Sequence, residues 1–332
     1  MMNLQIVRNL NECRALWEQE MPRDNVTDLW EFRDCFQRHY KRSLVFLKVT
    51  DRSRVTGLLP LSYIEETRSY GYFPGEIWDG KTWIEQNRII ARTTNAREAF
   101  HDWLTHNREA YHLRYLLPSA TGPAGGEAVD EIGYLFMPRE YNYDFDNYMA
   151  AFSTKSAKNI RAECGRIEAR GISYRFDRME DFDLMIRMNL ERYRTYSYFG
   201  DSRFLNSFRD IMIYFASQGW LRMTTILVAG KAAAVDLGCL YNGTYTLMAG
   251  GTSAEFPGIA KVINLFHIRR ACQERFKKVD FLCGDFSWKA RFHLKPRPLY
   301  VSTNIAVEVP VPLGDRPEFM QKPLITDRAA RQ

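Results

Sequence analysis

The sequence has no stretch of about 18 apolar residues, the length that a membrane-crossing helix needs. No membrane span is expected. Its start, Met1-Met2-Asn3-Leu4-Gln5, lacks a basic region followed by an apolar one, so no signal peptide is read. None of the six cysteines, Cys13, Cys35, Cys164, Cys239, Cys272 and Cys283, falls in a C-x-x-C pair. They sit inside apolar patterns, which reads as buried, reduced thiols in a cytoplasmic protein. The six histidines show no metal-ligand spacing such as H-E-x-x-H, and no metal is expected. There is no short-period repeat and no low-complexity tract. No Ser-His-Asp or Cys-His arrangement is legible, which disfavours chemistry through a covalent intermediate on the protein.

What is present is the composition of a globular chain. With 332 residues, 45% hydrophobic and 14% aromatic, it is too long for one ordinary core and can fill two. A net charge of +6 is a modest bias toward anionic partners.

In chain order, Leu4–Val7 reads as a strand and Asn9 as the cap of a helix reaching Glu20. Thr27-Asp28 opens a second helix, with Trp30, Phe32, Cys35, Phe36 and Tyr40 on one face. Ser43–Val49 and Val55–Glu65 form a hairpin. The phrase from Phe73 to Trp83 is rich in glycine and aromatics. It reads as a packed loop or as a binding wall facing a second domain. Asn95–Asn107 reads as a helix, Leu113–Pro118 as a strand and Ser119–Gly126 as a loop. Tyr134–Asp146 is an aromatic, acidic, extended crossover. A boundary near Asp144 divides the chain into 1–144, 145–310 and a surface tail, 311–332.

Asp146 or Asn147 caps a helix over Tyr148–Arg170. Its Lys155, Lys158 and Arg161 project from a rigid element, either as a solvated face or as a phosphate-binding edge. Strand Ile172–Phe176 and helices Met179–Tyr193 and Ser202–Ser217 follow. The aromatic loop Thr195–Gly200 between those helices reads as acceptor-pocket lining or as packing. Three strands come next, Arg222–Val228, Ala232–Leu240 and Thr244–Ala249. The last two are joined at Asn242-Gly243, a pair suited to a turn with φ > 0 at both positions. Gly250 and Gly251 and a loop to Gly258 lead into a helix over Ile259–Phe276. Bare backbone amides at Gly250, Gly251, Gly258, Ile259 and Ala260, with the helix's positive end, make a candidate anion site. A strand, Lys278–Cys283, then meets Gly284-Asp285, and Tyr300–Val309 reads as the final strand.

A strand feeding a glycine-started helix resembles the cofactor-binding half of the GNAT acyltransferases. The ending Gly284-Asp285-Phe286-Ser287-Trp288-Lys289-Ala290-Arg291-Phe292 is similar to the Gly…Tyr/Phe-Lys…Phe ending of the FemAB/CelD-like group. Phe152-Ser153-Thr154-Lys155-Ser156-Ala157-Lys158-Asn159-Ile160-Arg161 matches a phrase of the same group. The resemblance covers about Tyr148 to Asn304. It implies an α/β (α+β) fold of two tandem GNAT-like domains, each a mixed sheet flanked by helices. It also implies transfer of an acyl or aminoacyl group to an amine acceptor. The donor is acyl-CoA or, in FemAB-type transferases, aminoacyl-tRNA. The usual pyrophosphate phrase survives only as Gly258 and Ala260. That departure leaves open an inactive tandem-GNAT scaffold or ligand sensor.

Direct attack in a ternary complex needs a held donor, a base and a stabilised oxyanion. Lys289 stands where the family places its lysine, as a cation for donor phosphate or the reacting carbonyl. Its alternative is a surface lysine in a basic turn with Arg291. Asp285, at a strand's end, and Asp236, among small residues, are candidate bases. Glu255, Tyr241 and Tyr245 are weaker candidates. Lys289 and the Gly258 helix start are expected to border one pocket.

Overall fold

The computed structural model describes residues 2–106, 109–118, 128–284 and 288–305. The expected loop Ser119–Gly126, the candidate Asp285 and the tail 311–332 lie outside the described residues.

One order of elements occurs twice. The first pass is β1 (Met2–Val7), α1 (Leu10–Glu20), α2 (Trp30–Tyr40), β2 (Ser43–Asp51), β3 (Arg54–Ile64) and β4 (Ser69–Tyr72). A two-residue strand β5 (Ile90–Ala91), helix α3 (Thr94–His106) and β6 (Ala110–Leu116) complete it. Strand β7 (Ala128–Phe136) and helices α4 (Phe145–Ala150) and α5 (Thr154–Glu168) carry the chain across. The second pass begins with β8 (Ile172–Phe176), α6 (Asp181–Tyr193), α7 (Ser202–Ser217) and β9 (Leu221–Val228). It continues through β10 (Lys231–Tyr241), β11 (Thr244–Thr252), α8 (Ile259–Gln273) and β12 (Lys278–Asp280). A short α9 (Trp288–Arg291) and β13 (Lys295–Thr303) follow. Each pass is a strand, two helices, an antiparallel meander, a helix and a parallel strand. The parallel pairs are β4 with β6 and β11 with β12.

Local chemistry accounts for most boundaries. The Asn9 side chain accepts from the amides of Asn11 and Glu12, opening α1. Asn242 and Gly243 have φ of 50° and 75°, the hairpin geometry that the pair implies. The single helix expected over Tyr148–Arg170 is instead two. Ser153 restarts it, its Oγ accepting from the Ser156 amide at 3.2 Å.

The hydrogen-bonded strand order is β1-β2-β3-β4-β6-β13-β7-β12-β11-β10-β9-β8, with β5 on β3. The two expected sheets are therefore joined into one. Asp144 caps α4, but a cut there divides the chain and not the sheet. Strand β13, from the far end of the chain, lies between β6 and β7. It begins at Lys295, before the expected Tyr300. Pro296 and Pro298 face Tyr134 and Ile132 of β7, while pairing with β6 starts only at Tyr300. The prolines thus occupy a part of the strand with one partner, where a missing N–H is tolerated.

Helix α8 covers one face of the second meander, with Ile263, Ile268, Tyr245 and Val279 in one core. Helices α6 and α7 cover the other, against Val235, Leu237 and Met248. That second core also contains α2 of the first pass, so it holds the two halves together. Phe36 meets the rings of Phe204 and Phe208 at 5.6 and 6.2 Å. Trp83 lies 4.8 Å from Phe208, and Trp78 lies 5.6 Å from Tyr198. The two aromatic loops noted in the sequence are therefore packing between the halves.

Phe36 is fully buried at this junction. Phe36→Ala should lose about 3–5 kcal/mol of stability. In urea the midpoint should fall with an unchanged slope and one transition. Two separated transitions would show that the halves unfold independently of this contact.

Candidate active site at the seam between the halves

Where β12 ends, groups from both halves meet in a buried polar cluster. Asp280, at the end of β12, has no exposed surface. Its Oδ2 accepts from Arg297 Nη1 at 2.7 Å and from Gln86 Nε2 at 3.0 Å. Its Oδ1 accepts from the Leu282 amide at 3.0 Å. Glu85, beside Gln86 in the first half, accepts the Cys283 amide on Oε1 at 2.6 Å. Its Oε2 is buried with no hydrogen-bond partner, 3.7 Å from Arg297 Nη2. Lys289 turns inward from α9. Its Nζ donates to the carbonyls of Phe281, Leu282 and Cys283 at 2.9, 2.9 and 2.8 Å.

Two cations thus balance two carboxylates out of water. Burial is the main force on their ionisation. It pushes the Glu85 carboxyl up, and the Asp280 charge adds to the shift. It pulls the Lys289 ammonium down, against the neighbouring acidic charges led by Glu85. Acid and base move toward each other, a pattern common at sites that handle protons. Sequence reading missed Glu85, Asp280 and Arg297. Asp280 alternates with apolar neighbours and so reads as solvent-facing, and Arg297 lies between two prolines. Glu85 carries no local signal at all.

The start of α8 forms a second part of the region. Gly258 has φ of +90° and gives the helix no side-chain cap. The Ile259 amide bonds the Phe256 carbonyl, and the Lys261 amide bonds that of Gly258. Among the described residues, the amides of Gly258 and Ala260 donate to no backbone carbonyl. Gly258 is exposed, Ala260 half-buried and Ile259 buried. Lys261 pairs with Glu163 of α5, and burial together with the charge of Arg291 lowers its pKa. Lys289 of α9 enters the seam, and the charge of Arg291 acts on Lys261 in the first turn of α8.

Other sequence candidates are separated from this region. Gly250 and Gly251 belong to β11, which runs to Thr252, and are not loop amides. A side chain on Gly250 would strike Asp236, and one on Gly251 the Met185 carbonyl of α6. Both are close-approach glycines. Asp236 is buried, 3.0 Å from His267 Nε2 under α8. The space left by Gly238 is filled by the ring of Tyr245, whose hydroxyl is buried without a partner. Burial and Asp236 raise the Tyr245 pKa. Asp236 and Tyr245 thus lie in a closed polar pocket of the core. Tyr241 bonds the Arg23 carbonyl, and Glu255 pairs with Lys231 at the surface. Lys155, Lys158 and Arg161 are exposed and follow one another at three-residue spacing along α5. At about 100° per residue, Arg161 lies on the opposite shoulder of α5 from Glu163. It lines a groove of 740 Å³ with Asp144, Asp146 and Arg269.

Lys289→Met should leave three carbonyls without their donor and two acids short of a cation. A loss of about 3–5 kcal/mol is expected from breaking such a buried arrangement. Thermal melts would read it. An unchanged melting temperature would show that Lys289 does not hold the seam.

Residues 154–290 match the acetyltransferase (GNAT) domain family. No curated protein matches the chain in sequence. Among solved structures, FemX shares the fold at 9% identity and a TM-score of 0.55, over 90% of this chain and 97% of that one. The structure of L-PGS from Bacillus licheniformis is similar at 10% identity and a TM-score of 0.54, covering 91% and 94%. A conserved protein of unknown function from Bacteroides thetaiotaomicron VPI-5482 gives 12%, 0.53, 91% and 99%. Among the described residues no helix is long and apolar enough to cross a membrane. Residues 154–290 therefore resemble an acetyltransferase (GNAT) domain, and the chain as a whole shares the fold of FemX.

Proposed function

We infer that the protein is an N-acyltransferase that moves an acyl or aminoacyl group from an activated donor to an amine acceptor by direct attack. The observation that carries this reading is the GNAT match over 154–290, which spans the parallel pair β11 and β12, the helix α8 between them, and Lys289. The open start of α8 suits an anionic donor, acyl-CoA or aminoacyl-tRNA. Lys261 and Arg291 supply positive charge beside it. The seam supplies proton handling. In this reading Glu85 takes the amine proton, and Lys289 fixes the strand end from which Cys283 holds Glu85. A carboxyl raised by burial is matched to that task near neutral pH.

Direct attack agrees with the state of the thiols. Burial raises the pKa of all six cysteines, so none is a ready thiolate at neutral pH.

The donor is tested by thermal shift with acetyl-CoA, with aminoacyl-tRNA and with neither. A donor bound only by the native state raises the melting temperature. One of the two should do so, and the shift should shrink as salt rises. Lys261→Ala with Arg291→Ala should weaken that donor more than Lys155→Ala with Lys158→Ala. No shift with either donor would favour an inactive scaffold. For chemistry, the wild-type rate should climb with pH as the raised Glu85 carboxyl ionises. Glu85→Gln should lower kcat roughly 100-fold or more, the usual contribution of a general base, and flatten that limb. An unaltered pH profile in Glu85→Gln would take the residue out of the reaction.

A further inference from the structure

Two opposite charges in the first half are buried without a counter-ion, and both line one cavity. Arg33 of α2 is 1% exposed, and Glu76, in the loop after β4, is 2% exposed. Arg33 donates from Nε and Nη1 to the carbonyls of Thr27 and Phe73 at 2.9 and 2.6 Å. Glu76 accepts all three of its bonds on Oε1, from Thr82 Oγ1 and from the amides of Trp83 and Ile84. That leaves Arg33 Nη2 and Glu76 Oε2. Among the described residues neither atom has a partner, and neither is one of the polar atoms that the fold closes off without one. Each therefore keeps some surface. On side chains this deeply buried, that surface opens on the cavity they line.

Burial works against both charges. It raises the Glu76 pKa and lowers that of Arg33. Each feels the other's charge, but they form no ion pair. The remaining groups on the lining do not supply one. Arg114 is engaged by Asp130 and Glu131. Burial and Arg114 lower the His112 pKa, which keeps that ring neutral.

The two open atoms define the ligand. A bare anion would meet the carboxylate of Glu76, and a bare cation would meet the guanidinium of Arg33. A zwitterion suits both, because its ammonium donates to Oε2 while its carboxylate accepts from Nη2. Charge-assisted bonds of this kind are the strong ones, and a buried charge is tolerated when it is paired and hydrogen-bonded. Ile64, Tyr72 and Ile77 add apolar lining for the rest of the molecule. The cavity measures 250 Å³. One of about 150 Å³ already takes a benzene ring, so there is room for a side chain and a charged head. We propose that this cavity binds a small apolar amino acid, its ammonium on Glu76 Oε2 and its carboxylate on Arg33 Nη2. The site is separate from the donor region at the start of α8 and stands whether or not the transfer reading is correct.

L-leucine is the probe, titrated calorimetrically into the full chain. Isopentylamine and isocaproate keep its apolar body, and each lacks one of its charges. Leucine should bind at one site, and each analogue at least tenfold more weakly. Glu76→Gln keeps an oxygen for the three donors and turns an amide N–H toward the cavity. It should weaken leucine at least tenfold and bind isocaproate more tightly than the wild type does. Thr67→Trp adds bulk at an exposed position of the cavity's lining. It should weaken leucine at least tenfold with an unchanged melting temperature, which tests the place of binding without touching Glu76. No leucine binding, an analogue that binds as well as leucine, or full leucine binding in Thr67→Trp or in folded Glu76→Gln would each overturn the proposal.

Discussion

The carboxylate of Asp280 is held by the nearby Leu282 amide and by side chains from two other stretches of chain, Gln86 and Arg297. A fully buried carboxylate is tolerated only when it is paired and hydrogen-bonded. That requirement ties the end of β12 to the 84–87 segment of the first half and to β13. With β13 held there, it can lie between β6 and β7 and make one sheet of two meanders. Glu85 and Lys289 then complete the same cluster from opposite sides, one bonding the Cys283 amide and the other its carbonyl. The chemistry proposed for the seam thus depends on the interaction that joins the halves.

The two passes share an order of elements but have diverged in what they leave open. In the second, the start of α8 is uncapped and flanked by cations, and the sheet beneath is sealed by Asp236, His267 and Tyr245. In the first, the space beside the parallel pair β4 and β6 is a cavity, with Asn87 bridging to Leu116 at its edge. One topology therefore leaves an uncapped helix start in one half and a cavity in the other.

Two outcomes of the sequence reading have a common cause. Gly250 and Gly251 look like anion-loop glycines in one dimension, but their freedom from a side chain lets Asp236 and α6 approach the strand. Lys289 reads as a site cation or as a surface lysine, and its turn faces it inward. In each case the residue type was informative, while its direction depended on neighbours far away in the chain.

The sequence by itself determined what local rules govern. The Asn9 cap, the Asn242-Gly243 turn, the apolar faces of α2 and α8 and the glycine entry at Gly258 depend on backbone sterics and short-range hydrogen bonds. Those are set by residues a few positions apart. Motif resemblance added the α/β, two-pass GNAT architecture. Only the tertiary structure decided the path of β13, the inward turn of Lys289 and the meeting of Glu85, Asp280 and Arg297. These contacts span up to about 200 positions, as between Glu85 and Cys283, 198 apart. No periodicity encodes them, because burial drives buried charges to whichever partners the strand order brings within reach.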